Sequence, residues 1–172
     1  MREKTVIPQP EPLAYFLTWT TYGTWLPGDE RGWVERKSGF RLPAPLKKFE
    51  ALARMTEDAC RLSEPERSVV ESTIFDHCRI RNWPLYAANC RSNHVHVVVA
   101  SDKSPRVVRD QLKAWCTRRL KDLVQPTPDS PSSNRIRTNW WSERGSCRYI
   151  NDADSLEAAI LYVRDAQDRP RT

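Results

Sequence analysis

The sequence predicts an α+β fold: a four-stranded antiparallel sheet threaded in the order βαββαβ, with one extra helix near the C-terminal end. Three observations predict it. Stretches rich in aromatic and β-branched residues recur at 14–22, 83–90, 93–100 and 140–150, the composition of strands. Segments of helical periodicity at about 63–81 and 104–123 separate the first stretch from the second and the third from the fourth. The tight turn Arg91–Asn93 leads from the second stretch straight into the third, as in an antiparallel pair. A length of 172 residues suits one compact domain with insertions, not two.

Residues 1–13 carry Pro8, Pro10 and Pro12 and read as an extended, flexible lead-in to a single domain over 14–168. Ala14 to Tyr22 alternates aromatic and β-branched side chains and forms the first strand, ended by the turn residues Gly23 to Asp29. An insertion spans about 23–62. Arg31, Trp33, Arg36, Lys37, Phe40 and Arg41 interleave charge and aromatic surface there, and Leu46–Arg61 reads as a helix after Pro43 and Pro45. Two roles fit it equally: a surface on which single-stranded nucleic acid stacks, or a lid packed down by Trp25 and Trp33.

Ser63, Pro65 and Glu66 form a capping-box signal with proline in the first turn. The helix behind it buries Val69, Val70, Ile74 and Cys78, while His77 stands alone and is assigned no role. Trp83–Cys90 is the second strand and Asn93–Ala100 the third. The next helix begins at Ser104-Pro105 and carries the apolar stripe Val108, Leu112, Trp115, Cys116, Leu120 and Leu123. Arg106, Arg109 and Lys113 lie at i, i+3 and i+7 on another face, followed by Arg118; directly after the histidine strand, these four are expected to contact phosphates. Residues 125–134 are a Pro/Ser-rich loop. Trp140–Ile150 reads as the fourth strand with a bend at Gly145, and Asp154 as the cap of a last helix reaching about Gln167. Order βαββαβ is the ferredoxin-like (RRM-like) split βαβ sheet, the last helix being additional.

His94 and His96 dominate the chemistry. Alternation on a strand points both imidazoles the same way, about 7 Å apart along the backbone, and turns Val95, Val97 and Val99 into the core. Two of the three histidines fall in this one strand, and side-by-side imidazoles suit a divalent metal. Two protein ligands leave room for substrate oxygens, which points to Mg2+ or Mn2+ acting on a phosphate ester. Tyr15, Tyr22, Tyr86 and Tyr149 have ordinary places in strands. Tyr162 sits roughly 120° round the last helix from Leu156, outside the apolar stripe of Leu156, Ala159, Ile160 and Val163, so it is available as a nucleophile.

Lys and Arg number 28 against 22 Asp and Glu, a net charge of +6 that suits a polyanionic partner. The five cysteines have no zinc-binding spacing and read as reduced thiols. No apolar run is long enough to span a membrane and no signal-peptide pattern opens the chain, so a cytoplasmic, nucleoid-associated protein is expected.

Three passages together resemble the single-tyrosine HUH transposases, which include small insertion-sequence transposases and REP-associated tyrosine transposases. They are Tyr15–Asp29, Asn93–Val99 and Ala159–Gln167. The resemblance implies that His94 and His96 hold the metal and that Tyr162 attacks single-stranded DNA, leaving a 5′-phosphotyrosine and a free 3′-OH. It also implies a homodimer that reads DNA hairpins. Family members often place a third ligand, commonly glutamine, about one turn after the tyrosine. Here that position is Ala166; Gln167 and Asp165 are the alternatives, about 140° and about 60° from Tyr162 on an undistorted helix. The competing expectation is a catalytically silent RRM-like module that binds single-stranded nucleic acid, although such modules want aromatics where this strand has histidines.

Overall fold

The computed structural model describes residues 11–35, 38–123 and 137–166. Four strands form one antiparallel sheet: β1 (Ala14–Thr20), β4 (Leu85–Cys90), β5 (His94–Val99) and β6 (Ser146–Ile150), in spatial order β4-β5-β1-β6. With α2 (Glu64–Ile80) between β1 and β4, and α3 (Pro105–Leu123) between β5 and β6, the threading is the expected ferredoxin-like one. Strands β2 (Trp33–Glu35) and β3 (Gly39–Arg41) make a separate hairpin, followed by α1 (Pro45–Ala53). Helix α4 covers Ala153–Leu161.

The two faces of the sheet bury different things. Leu17, Trp19, Val95, Val97 and Val99 face α2 and α3, which contribute Val70, Ile74, Val108, Leu112, Cys116 and Leu120 to the main core. The opposite face carries a smaller apolar cluster of Ala14, Ala87, Val98 and Ile150 beneath Ala159 and Val163. Helices α2 and α3 thus share one face, and α4 takes the other. The side-chain alternation read along Asn93–Ala100 produces this division: Val95 and Val97 go to one side, His94, His96 and Val98 to the other.

Local chemistry explains where elements start and stop. Glu66 accepts from both the backbone N–H and the hydroxyl of Ser63, at 2.7 and 2.8 Å, as the capping-box signal required. Asn82 takes the left-handed conformation (φ 55°) just past the end of α2, stopping the helix before Trp83. The second strand starts at Leu85, two residues later than expected, after Pro84.

Several expectations are corrected. Trp115 and Leu123 are 41% and 47% exposed, so the buried stripe of α3 is narrower, stepping through Val108, Leu112, Cys116 and Leu120. Helix α1 ends at Ala53 rather than Arg61; beyond it, Cys60 N–H bonds to Tyr22 O and Leu62 N–H to Ser92 O, drawing the chain along the end of the sheet. The fourth strand is shorter because Arg144 and Gly145 adopt positive φ of 65° and 142°, leaving Trp141 as an isolated bridge to Thr21. The cap of the last helix is Asp152, whose carboxylate accepts from Ser155 N–H at 2.8 Å, not Asp154. The α-helix stops at Leu161, and Tyr162–Ala166 form a π turn, so the angles of an undistorted helix do not apply beyond the tyrosine. The 125–134 loop and residues 1–10 lie outside the described residues.

Candidate active site

His94 and His96 sit on β5, an interior strand of the sheet, on the face that α4 only partly covers. Their ring centroids are 4.7 Å apart. Each ring is held by its Nδ1. On His96, Nδ1 shares a 2.8 Å hydrogen bond with Thr18 Oγ1 from the facing position on β1. On His94, Nδ1 lies 2.7 Å from Asn93 Oδ1; an amide oxygen only accepts, so that nitrogen carries a proton, and in the neutral ring Nε2 holds the lone pair. His96 is 8% exposed, and burial, reinforced by His94 and Arg91, pushes its pKa down to about 4. It is therefore neutral near pH 7, the protonation state a metal ligand needs.

Tyr162 opens the π turn directly after α4, and its ring lies 5.6 Å from that of His96 and 6.1 Å from that of Phe16. Phe16 stacks on His96 at 5.4 Å. Val163, the next residue, is fully buried against the sheet, while Arg164 donates to Tyr86 O at 3.1 Å. These two neighbours fix the turn, yet Tyr162 itself is 39% exposed. A phenol beside a buried neutral imidazole, open to solvent on one side, can reach an incoming phosphate.

The structure brings together three predicted residues: His94, His96 and Tyr162. Asp165 lies exposed in the π turn, and Gln167 lies outside the described residues. Among the described residues no group of three or more His, Cys, Asp or Glu side chains is placed to hold a metal.

The four basic residues of α3 divide. Arg106 and Arg118 are exposed, Arg118 lying over the Trp115 ring at 5.3 Å. Arg109 is 7% exposed and donates to Gly145 O at 2.9 Å and to Asp110. Lys113 donates to Ser142 O and Arg144 O, both at 2.8 Å, and burial draws its pKa down to about 8. Both side chains tie α3 to the loop before β6, and periodicity alone could not separate them from Arg106. Helix α3 also covers the face opposite the histidines.

Residues missed by sequence reasoning stand on the histidine face. Thr18 orients His96. Arg148 faces Phe16 across β1 and β6 and lies over its ring at 5.2 Å, an exposed cation beside the tyrosine. Strand alternation would have found both once the pairing register was known. His77, given no role, is buried between α2 and α3, with Nε2 3.2 Å from Gln111 Oε1 and its ring against Trp83 and Trp115. The insertion meets the site at a cleft of about 660 Å³, where Trp25, Trp33, Thr18, Thr20, Ser142 and Arg144 contribute walls. Trp33 is buried, as the lid reading required, whereas Trp25 is 42% exposed.

Among solved structures, a REP-associated tyrosine transposase bound to a REP hairpin superposes with a TM-score of 0.51 at 12% identity, over 95% of this chain and 70% of that one. The chain has the fold of a tyrosine transposase. A Deinococcus radiodurans R1 protein provisionally named a transposase aligns over 99% of this chain and all of that one, at 16% identity and a TM-score of 0.43, too distant to carry an argument. No family model and no curated protein matches the sequence. Helix α4 leads into the π turn that sets Tyr162 on the histidine face of the sheet. No helix among the described residues is long and apolar enough to cross a membrane.

Proposed function

We propose that this protein is a transposase-like strand transferase that nicks and rejoins single-stranded DNA through a 5′-phosphotyrosine on Tyr162, using a divalent metal held by His94 and His96. The observation that carries the reading is the Tyr162 ring, 5.6 Å from the His96 ring and open to solvent.

The residues present fit a metal. His96 is neutral and its ring is pinned by Thr18, as the outer partner of a ligating histidine does. Two nitrogen ligands favour Mn2+ over Mg2+, although either serves phosphate chemistry. Gln167 is the candidate third ligand implied by the family resemblance. When bound, the metal supplies charge to polarise the scissile phosphate.

The side chains of this protein do the rest. Phe16 and His96 hold the Tyr162 ring edge-on. Arg148 on the same face draws in the DNA backbone at the tyrosine, and Arg106 and Arg118, exposed on α3 across the sheet, hold strand that runs beyond the site. The phenol oxygen bonds to phosphorus while the bond from phosphorus to the 3′ oxygen breaks; the phenolic proton is lost and the departing oxygen becomes a 3′-OH. Reversal with another 3′-OH rejoins a strand without ATP, because the phosphotyrosine keeps the ester energy. The proposed substrate is single-stranded DNA carrying a hairpin, and the proposed working form is a homodimer.

A 3′-labelled hairpin oligonucleotide incubated with the protein and Mn2+ tests this. The expected product is a labelled, detergent-stable adduct that chelator prevents. Binding without adduct in either Mn2+ or Mg2+ would instead identify a silent nucleic-acid-binding sheet.

A further inference from the structure

We infer that Asn89 is a third ligand at the histidine site, donating its side-chain carbonyl oxygen to the divalent metal. The inference rests on the metal reading of His94 and His96 and deepens it.

Two independent observations meet at this residue. The first is register. In the β4–β5 ladder Asn89 pairs with His96, between the pairs Ala88 with Val97 and Cys90 with Val95. Directly opposed residues of antiparallel strands share a face, with Cβ atoms about 5 Å apart. His96 is therefore flanked on its own face by Asn89 from β4 and Thr18 from β1. Thr18 engages Nδ1 of the ring. Asn89 has no such engagement.

The second is an unanswered acceptor. Asn89 Oδ1 is buried and has no hydrogen-bond partner. Buried polar side-chain atoms nearly always find one, because stranding an amide oxygen away from water is costly. A buried carbonyl oxygen beside a neutral imidazole is what a cation would satisfy. It is also a hard, uncharged donor, the type that Mg2+ and Mn2+ accept alongside phosphate and water.

The assignment has a structural consequence. All three donors then belong to adjacent strands of one sheet, and Asn89 takes the place that the family resemblance gives to Gln167. The β-bulge between Leu85 and Ala87 sets this alignment, since it shifts the register of β4 against β5. A one-residue slip would turn Asn89 to the opposite face.

Titration calorimetry of Mn2+ into the full chain, after stripping with chelator, tests the inference with no DNA and no turnover. Asn89→Ala is expected to weaken Mn2+ binding tenfold or more, and Asn89→Asp to bind at least as tightly as the parent. His96→Ala is expected to abolish binding. If Asn89→Ala binds within twofold of the parent while His96→Ala does not bind, Asn89 is no ligand and the histidine site stands. If His96→Ala binds like the parent, the metal reading fails and the inference falls with it. Metal-free melting guards against a folding effect. Asn89→Ala is expected to melt at or above the parent temperature, having lost a stranded acceptor; a lower melting temperature would mean that Asn89 serves the fold, and would overturn the assignment.

Discussion

Replacing Arg109 by alanine separates a fold-holding cation from a DNA-holding one. Arg109 is 7% exposed and its Nη1 donates to Gly145 O at 2.9 Å. A hydrogen bond from a charged donor to a carbonyl contributes about 1.5–3 kcal/mol. The pair with Asp110 adds at most about 1 kcal/mol, since that carboxylate is 62% exposed. The Arg109→Ala variant should therefore lose about 2–4 kcal/mol. With a urea slope near 2 kcal/mol/M for a chain of this size, the midpoint should fall by about 1–2 M. Arg106→Ala, at an exposed position, should change stability by less than about 0.5 kcal/mol. DNA binding should show the reverse pattern. Arg106→Ala should lower the salt slope of single-stranded binding by about 0.7, the value for one lost phosphate contact, while Arg109→Ala leaves it unchanged wherever the protein stays folded. Equal stability for Arg109→Ala, combined with a reduced salt slope, would refute this assignment and return Arg109 to the phosphate-binding set.

Asp29 makes a pH-dependent contribution. Its hydrogen bond with Arg31 holds the carboxyl at about 2, below the ordinary 3.8, so the stabilisation is present above about pH 4 and is lost as pH falls through 2. Asp29→Asn should cost about 1–2 kcal/mol at pH 7, discounted because Arg31 is half exposed, and should flatten the acid limb of the stability curve between pH 4 and 2. Gly145→Ala should destabilise by about 2–4 kcal/mol in the same urea assay, because its Cβ would clash with the backbone oxygen of Thr18 at a φ of +142°. Thr18→Val keeps the shape of the strand but frees the His96 ring; Mn2+ affinity by calorimetry should drop about 10- to 100-fold with the sheet intact. Unchanged affinity would remove Thr18 from the site.

The sheet was legible in the sequence because its strands carry unambiguous alternation. Val95, Val97 and Val99 could only face a core, and that sent His94 and His96 to the other side. The capping box at Ser63 and Glu66 located α2 for the same local reason. What stayed hidden depends on partners distant in sequence. Trp115 fits a helical stripe as well as Cys116 does, and only the position of the sheet decides which is buried. Arg109 and Arg106 share one periodicity, yet one reaches Gly145 and the other reaches solvent. Asn89 and Arg148 needed the strand register before either could be placed beside a histidine or a tyrosine. The extent of the last helix was legible, but not the π turn that replaces α-helical geometry from Tyr162 onward.

The chemistry rests on one covalent bond. The most direct measurement is mass spectrometry of proteolysed protein after reaction with a hairpin oligonucleotide in Mn2+, nuclease-trimmed to leave the attached nucleotide. The mass of a 5′-phosphonucleotide should appear on the peptide containing Tyr162, and Tyr162→Phe, folded and DNA-binding, should yield none. An adduct on another residue, or a Tyr162→Phe protein that cleaves as fast as the parent, would contradict the assignment of the nucleophile.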